Sequence, residues 1–416
     1  MSMKIGNLKA LYWHSFFLAV TMSFTEINTV MPALILRAGG GERLVGGLTA
    51  IMVGLPLVSQ LVFAGFLSTR SRKKPYLLTG INLRVFALAA AAVAIAWIGT
   101  DYAIIPIVFV TMSLFALSGA FAGVSYTEMV GKVVVTAQLR RFFVRRQVAT
   151  SAGLLISAVA TRLFLGVTSF PDGYVLLFAM ASGFLLIASA GFWALYEPAG
   201  EIVQKDKTQK RESDGIVRSM GKIPEILRSD ANMRMLIIAV NLGALGFTAI
   251  PLVTALAHRR FELLPETAGW FVIIQVIGML LANLVWTRLI KFGGFRFVLR
   301  AELILVALLF PFSLVASRYF PLWAYMSIYL VTGAIISAHR VGVDAILVQI
   351  SPDGQRALYA GIFGAANLGT AIMPLITGML TSALGFSPVF IGASILSLAA
   401  LIPASKIWCG EWYKEV

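Results

Sequence analysis

Along this chain, long apolar runs alternate with short polar breaks, and the rhythm fails only once. Twelve runs are long enough to cross a bilayer, which takes roughly 20 residues as helix. In the first half they cover 11–35, 44–67, 76–99, 103–131, 147–168 and 174–196. The second half supplies 234–257, 267–290, 297–317, 321–349, 356–383 and 386–407. No water inside a bilayer can satisfy an open backbone, so each run is predicted to be a helix. The failure of rhythm is 197–231, with Lys205-Asp206-Lys207-Thr208-Gln209-Lys210-Arg211 near its start. Such a run cannot bury apolar surface and reads as a linker. Farther on, Ile216, Val217, Met220, Ile223, Ile226 and Leu227 recur at helical spacing, with Arg218, Lys222 and Arg228 elsewhere. That pattern predicts an amphipathic helix on the membrane surface, bent at Pro224. The domain reading is a six-helix bundle over 1–196, a linker with an amphipathic helix over 197–231, and a second six-helix bundle over 232–416.

The second half echoes the first. Thr29-Val30-Met31-Pro32 returns as Thr248-Ala249-Ile250-Pro251, Thr69-Arg70 as Thr287-Arg288, Gly119-Ala120 as Gly333-Ala334, and Arg141 as Arg356. The offsets all fall between 214 and 219 residues. Four matches at nearly one offset, in corresponding spans, point to a duplicated membrane unit. Parallel repeats of this kind build transporters whose site lies between the halves.

Composition agrees. Apolar residues make up 59% and charged residues 13% of the chain, against about 25% charged in a soluble domain. The net charge of +15 collects at alternate loops: Lys4 and Lys9, Arg70 to Lys74, Arg140 to Arg146, the linker, Arg288 to Arg300, and Lys406 with Lys414. The intervening loops hold only Arg37, Arg43, Arg259, Arg260 and Arg318. By the positive-inside rule both termini and the linker are cytoplasmic, and the charge is not a nucleic-acid footprint. The first run is too long for a signal peptide and is expected to stay as a membrane helix. Cys409 is the single cysteine, so no disulfide framework is expected. Short outer loops and the absence of an Asn-x-Ser/Thr acceptor fit a bacterial inner membrane protein.

Between the second and third spans the chain reads Gly65-Phe66-Leu67-Ser68-Thr69-Arg70-Ser71-Arg72-Lys73-Lys74. With twelve spans, six plus six, cytoplasmic ends and a long middle loop, the chain resembles the major facilitator superfamily. The family pattern for that loop is Gly-x-x-x-Asp-Arg-x-Gly-Arg-Arg/Lys. Gly65, Arg70 and the basic end match; Thr69 replaces the aspartate and Arg72 the second glycine. The second copy keeps Arg288 and Lys291. The resemblance implies an all-α integral membrane protein of two pseudo-symmetric bundles. It also implies structural latches on the cytoplasmic face, pairing Arg70 or Arg72 with Glu128 and Arg288 with Asp344, beside Lys73, Arg141 and Arg356. Cavity helices, by the same resemblance, are the first, fourth, seventh and tenth.

Ionisable groups inside a membrane are costly and tend to face a bundle interior. Glu26 and Asn28 lie in the first span, Arg162 in the outer half of the fifth, and His339 with Arg340 in the tenth. Glu26 is a proton-coupling candidate, because burial raises a carboxyl pKa; the alternative is a permanent Glu26–Arg162 ion pair. Arg340 either binds substrate or pairs with Asp344 one turn on, and the latter competes with the Arg288 latch. His339 reads as an interhelical hydrogen-bonding residue or a proton relay. Glu302 reads as a snorkelling surface group, and His14 and His258 as interfacial. Tyr126, Asn241, Thr248, Gln275 and Asn367 offer neutral hydrogen bonds or interhelical contacts. Three scattered histidines and one tail cysteine make no metal cluster, and no cofactor is expected.

Neither a phosphate-binding Gly-x-x-x-x-Gly-Lys-Ser/Thr loop nor a nucleophile elbow occurs, so the reading is not an enzyme and not ATP-driven. The fifth span also lacks the Gly-x-x-x-Gly-Pro pattern of the family's proton-coupled drug antiporters. The expected function is secondary transport of a small organic solute, anionic or zwitterionic, by alternating access with proton coupling. Alternatives are efflux or exchange without proton coupling, and a transport-inactive receptor or assembly factor on the same scaffold. The expected partners are the lipid bilayer, a small-molecule substrate and protons; the expected state is a monomer, with no nucleic acid.

Overall fold

The computed structural model describes residues 2–68, 70, 72–99, 102–133, 139–197, 227–351, 359, 362–364 and 366–408. The predicted amphipathic helix and Arg356 therefore lie outside the described residues, as do the side chains of Gly65, Glu128 and Arg141. The first half is built from α1 (Ser2–Phe24), α2 (Val30–Arg37), α3 (Glu42–Ser68), α4 (Lys74–Ile98), α5 (Ile104–Val133), α6 (Leu139–Val167) and α7 (Asp172–Trp193). The second half follows with α8 (Ala231–Ala249), α9 (Pro251–Arg260), α10 (Thr267–Gly293), α11 (Phe295–Tyr319), α12 (Leu322–Tyr325), α13 (Ile328–Ile350), α14 (Leu368–Leu384) and α15 (Phe386–Lys406). Eleven described helices are long and apolar enough to cross a membrane. The first span is not among them; a turn at Thr25 to Thr29 divides it into α1 and α2.

That turn has a local cause. Pro32 has no amide hydrogen to donate back to residue 28, which removes one helical bond and weakens the helix at this point. Glu26 then fills the gap: Asn28 donates its backbone N–H to Oε2 at 2.7 Å and its Nδ2 to Oε1 at 2.9 Å. Thr29 Oγ1 also donates to Oε2, at 2.9 Å. The carboxylate thus sits at the start of α2, where free N–H groups and the helix dipole favour negative charge. Pro251, at the matching place, interrupts the seventh span only at Ile250, which keeps helical dihedrals. The same proline produces an open turn in one half and a bend in the other.

The chain forms two compact units. One comprises Met1–Gly40, Ile51–Asp206 and Leu263–Ile273; the other Gly41–Ala50, Lys207–Glu262 and Ile274–Val416. In the first, α1 packs on α6 and α7, and α4 packs on α5 and α7. In the second, α8 packs on α14 and α15, and α11 packs on α13 and α15. These are the same four pairings by span order, so the duplication read from the sequence is a duplication of packing. Matching glycine contacts accompany it. In the first unit, Gly269 at the start of α10 lies against the Arg162 backbone; in the second, Gly46 at the start of α3 lies against Pro374 and Gly378 of α14.

In the second unit Gly278 of α10 meets the Leu330 backbone, and Gly333 of α13 meets the Gln275 carbonyl and Met279. Small residues let membrane helices approach until their backbones touch. Gly333→Val puts a branched side chain into that contact. It should lower the unfolding midpoint by an amount worth about 1–3 kcal/mol, the usual range for overpacking. An unchanged thermal melt of the purified variant would show that the helices have room to separate.

Candidate functional site

The end of the first unit that carries the basic loop is held by reciprocal caps. Glu197, just past α7, accepts the backbone N–H of Lys73 at 2.9 Å and of Lys74 at 3.0 Å, the exposed first donors of α4. In return, Lys74 Nζ donates to the carbonyls of Trp193 and Leu195 at the end of α7, at 2.9 and 2.8 Å. Lys73 is buried and its Nζ donates to the Leu67 carbonyl. Charge meets the opposite helix dipole at both ends. Lys73 is thereby engaged in capping. Arg70 stacks over Phe66, its Cζ 4.9 Å from the ring centroid, and Arg72 is exposed. In the second unit Arg288 and Asp344 are both exposed and form no ion pair among the described residues. The Arg340–Asp344 pair does not form either.

Deeper in the second unit, His339 of α13 is paired. Its Nδ1 lies 2.8 Å from Oε1 of Glu302 on α11. Phe247 of α8 stacks on the imidazole with centroids 4.1 Å apart. Glu302 was expected at the lipid surface, yet it is 3% exposed, and its Oε2 has no hydrogen-bond partner among the described residues. The turn of α11 that packs on α13 carries it inward. Sequence depth alone does not say which way a helix is turned. Asn241 of α8 donates to Asn367 Oδ1 at 2.8 Å and to the Ile237 carbonyl at 2.9 Å, a tie between α8 and the start of α14. Gln275 accepts a long 3.5 Å bond from Thr332.

In the first unit Glu26 and Arg162 are not an ion pair. Glu26 is occupied by Asn28 and Thr29, and the Arg162 guanidinium lies over Trp270 at 4.3 Å. A different arginine stands near the middle of a span. Arg84 is the eleventh residue of the 25-residue α4. Its guanidinium lies 4.1 Å from the Phe115 ring centroid, with Nη2 3.7 Å from Met22 Sδ and Nε unpartnered among the described residues. A central arginine costs about 2.5–3.5 kcal/mol on insertion scales, and a desolvated cation–π contact offsets about 2 kcal/mol of it. Tyr126 on the same helix face as Phe115 lies under the Arg146 guanidinium, 5.2 Å from its ring centroid. The signal for Arg84 was plain: one cation inside the apolar run 76–99.

One more ion pair is invisible in sequence. Glu42, the first residue of α3, receives Arg259 of α9 through Nε to Oε1 at 2.7 Å and Nη2 to Oε2 at 3.1 Å. The bidentate geometry is the strong form of this contact. Among the described residues no group of His, Cys, Asp and Glu is arranged to hold a metal ion.

The sequence profile of the Major Facilitator Superfamily matches residues 235–409. No curated protein matches the chain in sequence. Among solved structures, it is similar to a POT family transporter crystallised with 5-aminolevulinic acid, at 14% identity over 96% of each chain and a TM-score of 0.73. It is similar to the xylose transporter XylE from E. coli in its inward open conformation, at 15% identity over 97% of this chain and 95% of that one, with a TM-score of 0.64. The nucleoside transporter NupG is also similar, at 14% identity over 98% of this chain and 100% of that one, with a TM-score of 0.65. Identities this low carry the fold and nothing finer. The superfamily profile thus covers the second half of the chain, and the fold shared with these transporters runs over nearly its whole length.

Proposed function

We propose that the protein is a secondary transporter that moves a small organic anion or zwitterion across the membrane by alternating access, coupled to protons. The observation that carries this reading is the His339–Glu302 pair between membrane helices, a buried carboxylate held by a partly exposed imidazole, with one carboxylate oxygen unpartnered among the described residues. A purely structural ion pair satisfies its remaining lone pairs; this one keeps a place for a proton. Histidine is the side chain whose ordinary titration falls near physiological pH. The pair has no counterpart in the first half, where Ser125-Tyr126 occupies the place of His339-Arg340. Glu26 has a different proposed role: it holds the break in the first span open, and Arg162, Asn28, Tyr126, Asn241 and Arg340 are proposed as groups near the solute path. The basic ends are proposed to be cytoplasmic, in line with the loop charges, and the membrane to be a bacterial inner membrane.

The reading is tested with the full chain in proteoliposomes. Counterflow of amino acids, short peptides and organic acids is measured at equal pH, then repeated with an imposed pH gradient. Solute exchange accelerated by the gradient is the expected result. Exchange indifferent to the gradient would remove the coupling, and absence of any counterflow across the panel would remove transport.

A further inference from the structure

The first unit contains two partly buried cations that nothing in the described structure neutralises. Arg84 of α4 and Arg146 of α6 both approach one face of α5. Phe115, Gly119 and Tyr126 define that face, spaced by four and seven residues so that they stack on the same side of the helix. Gly119 has no side chain, and the Arg84 Cζ lies 3.3 Å from where its Cβ would stand. The guanidinium therefore rests against the α5 backbone. Its five N–H donors meet one thioether sulfur and an aromatic face. Arg146 makes its one described contact with the Tyr126 ring. The Tyr126 hydroxyl is buried beside Ser15 without a hydrogen bond of ordinary geometry. His14 of α1, anchored to the Ala188 carbonyl at 3.2 Å, feels the charge of both arginines. No described carboxylate pairs with either guanidinium.

We propose that this strip, from Arg146 and Tyr126 to Arg84, binds a small oxyanion-bearing solute, with carboxylate or phosphate oxygens taking the free guanidinium donors. Gly119 and Tyr126 are separated by about 10 Å along α5, a span suited to a solute with acidic groups at both ends. Planar guanidinium forks match carboxylate and phosphate geometry. Phe115 and Tyr126 shield the site from the side and supply apolar contact for the solute's carbon frame. The aromatic faces hold the two cations in place while the anion is absent. This inference rests on the transport reading for its biological sense, though binding itself does not require transport.

The test uses the purified full chain in detergent, with succinate, inorganic phosphate, sulfate and acetate as probes and sodium chloride matched for ionic strength. Succinate or phosphate should raise the unfolding midpoint saturably. Arg84→Met should weaken that binding at least about tenfold, the loss of one charge-assisted contact, and Arg146→Gln should weaken it as well. Arg318→Gln, at an exposed position, should leave it unchanged. Without ligand, Arg84→Met should melt no lower than the parent, because an unneutralised cation has been replaced by an apolar side chain of similar length. A lower ligand-free melt with unaltered anion response would make Arg84 a packing group and overturn the proposal. Stabilisation by phosphatidylglycerol with none by the soluble anions would overturn it in favour of a lipid headgroup. If the anion binds through Arg84 but does not move in counterflow, this inference stands and the transport reading fails. If an uncharged or cationic solute is transported and no anion binds, the reverse holds.

Discussion

Glu302→Gln should reduce pH-gradient-driven uptake by about 5- to 150-fold, the range spanned by coupling free energies of 1–3 kcal/mol. The substitution is nearly isosteric, and its amide oxygen can still accept from His339 Nδ1 at the site where Oε1 accepts now. The fold is therefore expected to survive. On the proposed coupling role, what the variant loses is a carboxyl group able to take up and release a proton beside His339. Exchange at equal pH should persist, because no solute-binding group has been removed. His339→Gln should show the same split, with Phe247 still covering the site. Gradient-driven uptake at the parental rate in both variants would end the coupling role of this pair and return attention to Glu26. Equal loss of gradient-driven uptake and exchange would instead mark Glu302 as a folding residue.

The second large effect is an asymmetry between two partners of one ion pair. Arg259→Gln should lower stability by about 3 kcal/mol, toward the lower end of the cost of an uncompensated buried charge. Glu42→Gln should cost only about 1 kcal/mol, the usual scale for a partner that water can reach. The reason lies in exposure. The Glu42 side chain is 3% exposed, and that of Arg259 is 58% exposed. Removing the arginine strands a buried carboxylate; removing the carboxylate leaves an arginine that can hydrate and still lie over Phe386, 5.5 Å from its ring centroid. The loss stays at the lower end because Glu42 opens α3, where the helix dipole favours negative charge. Thermal melts of both single variants and the double variant read this directly. The double variant should recover most of what Arg259→Gln loses. Equal losses in the two single variants would mean that the carboxylate is better solvated than its burial indicates.

Several of these groups were readable in advance, but their relations were not. The break at Glu26 follows from Pro32 and from the side chains that immediately precede it, all within six residues. Arg84 is a lone cation in an apolar run, a signal that the reading of the deep charges did not use. Glu302 and His339 are both visible, but one was read as facing lipid and the other inward. The two helices meet only because α11 and α13 pack together, as α4 and α5 do in the first half. Arg259 and Glu42 are 217 residues apart, and neither stands out from the loop charges around it.

The sequence by itself determined the helical spans, their duplicated order and the alternation of charge between loops. Each of these follows from the bilayer, which forces any apolar run of about 20 residues into a helix whatever its neighbours are. Tertiary structure alone decided which way each helix is turned about its axis. A span's depth is a property of its own residues, but its azimuth is set by how its ridges and glycines fit the helices beside it. That rotation buries Glu302 against His339, brings Arg259 to Glu42, and leaves Arg84 and Arg146 without a carboxylate among the described residues.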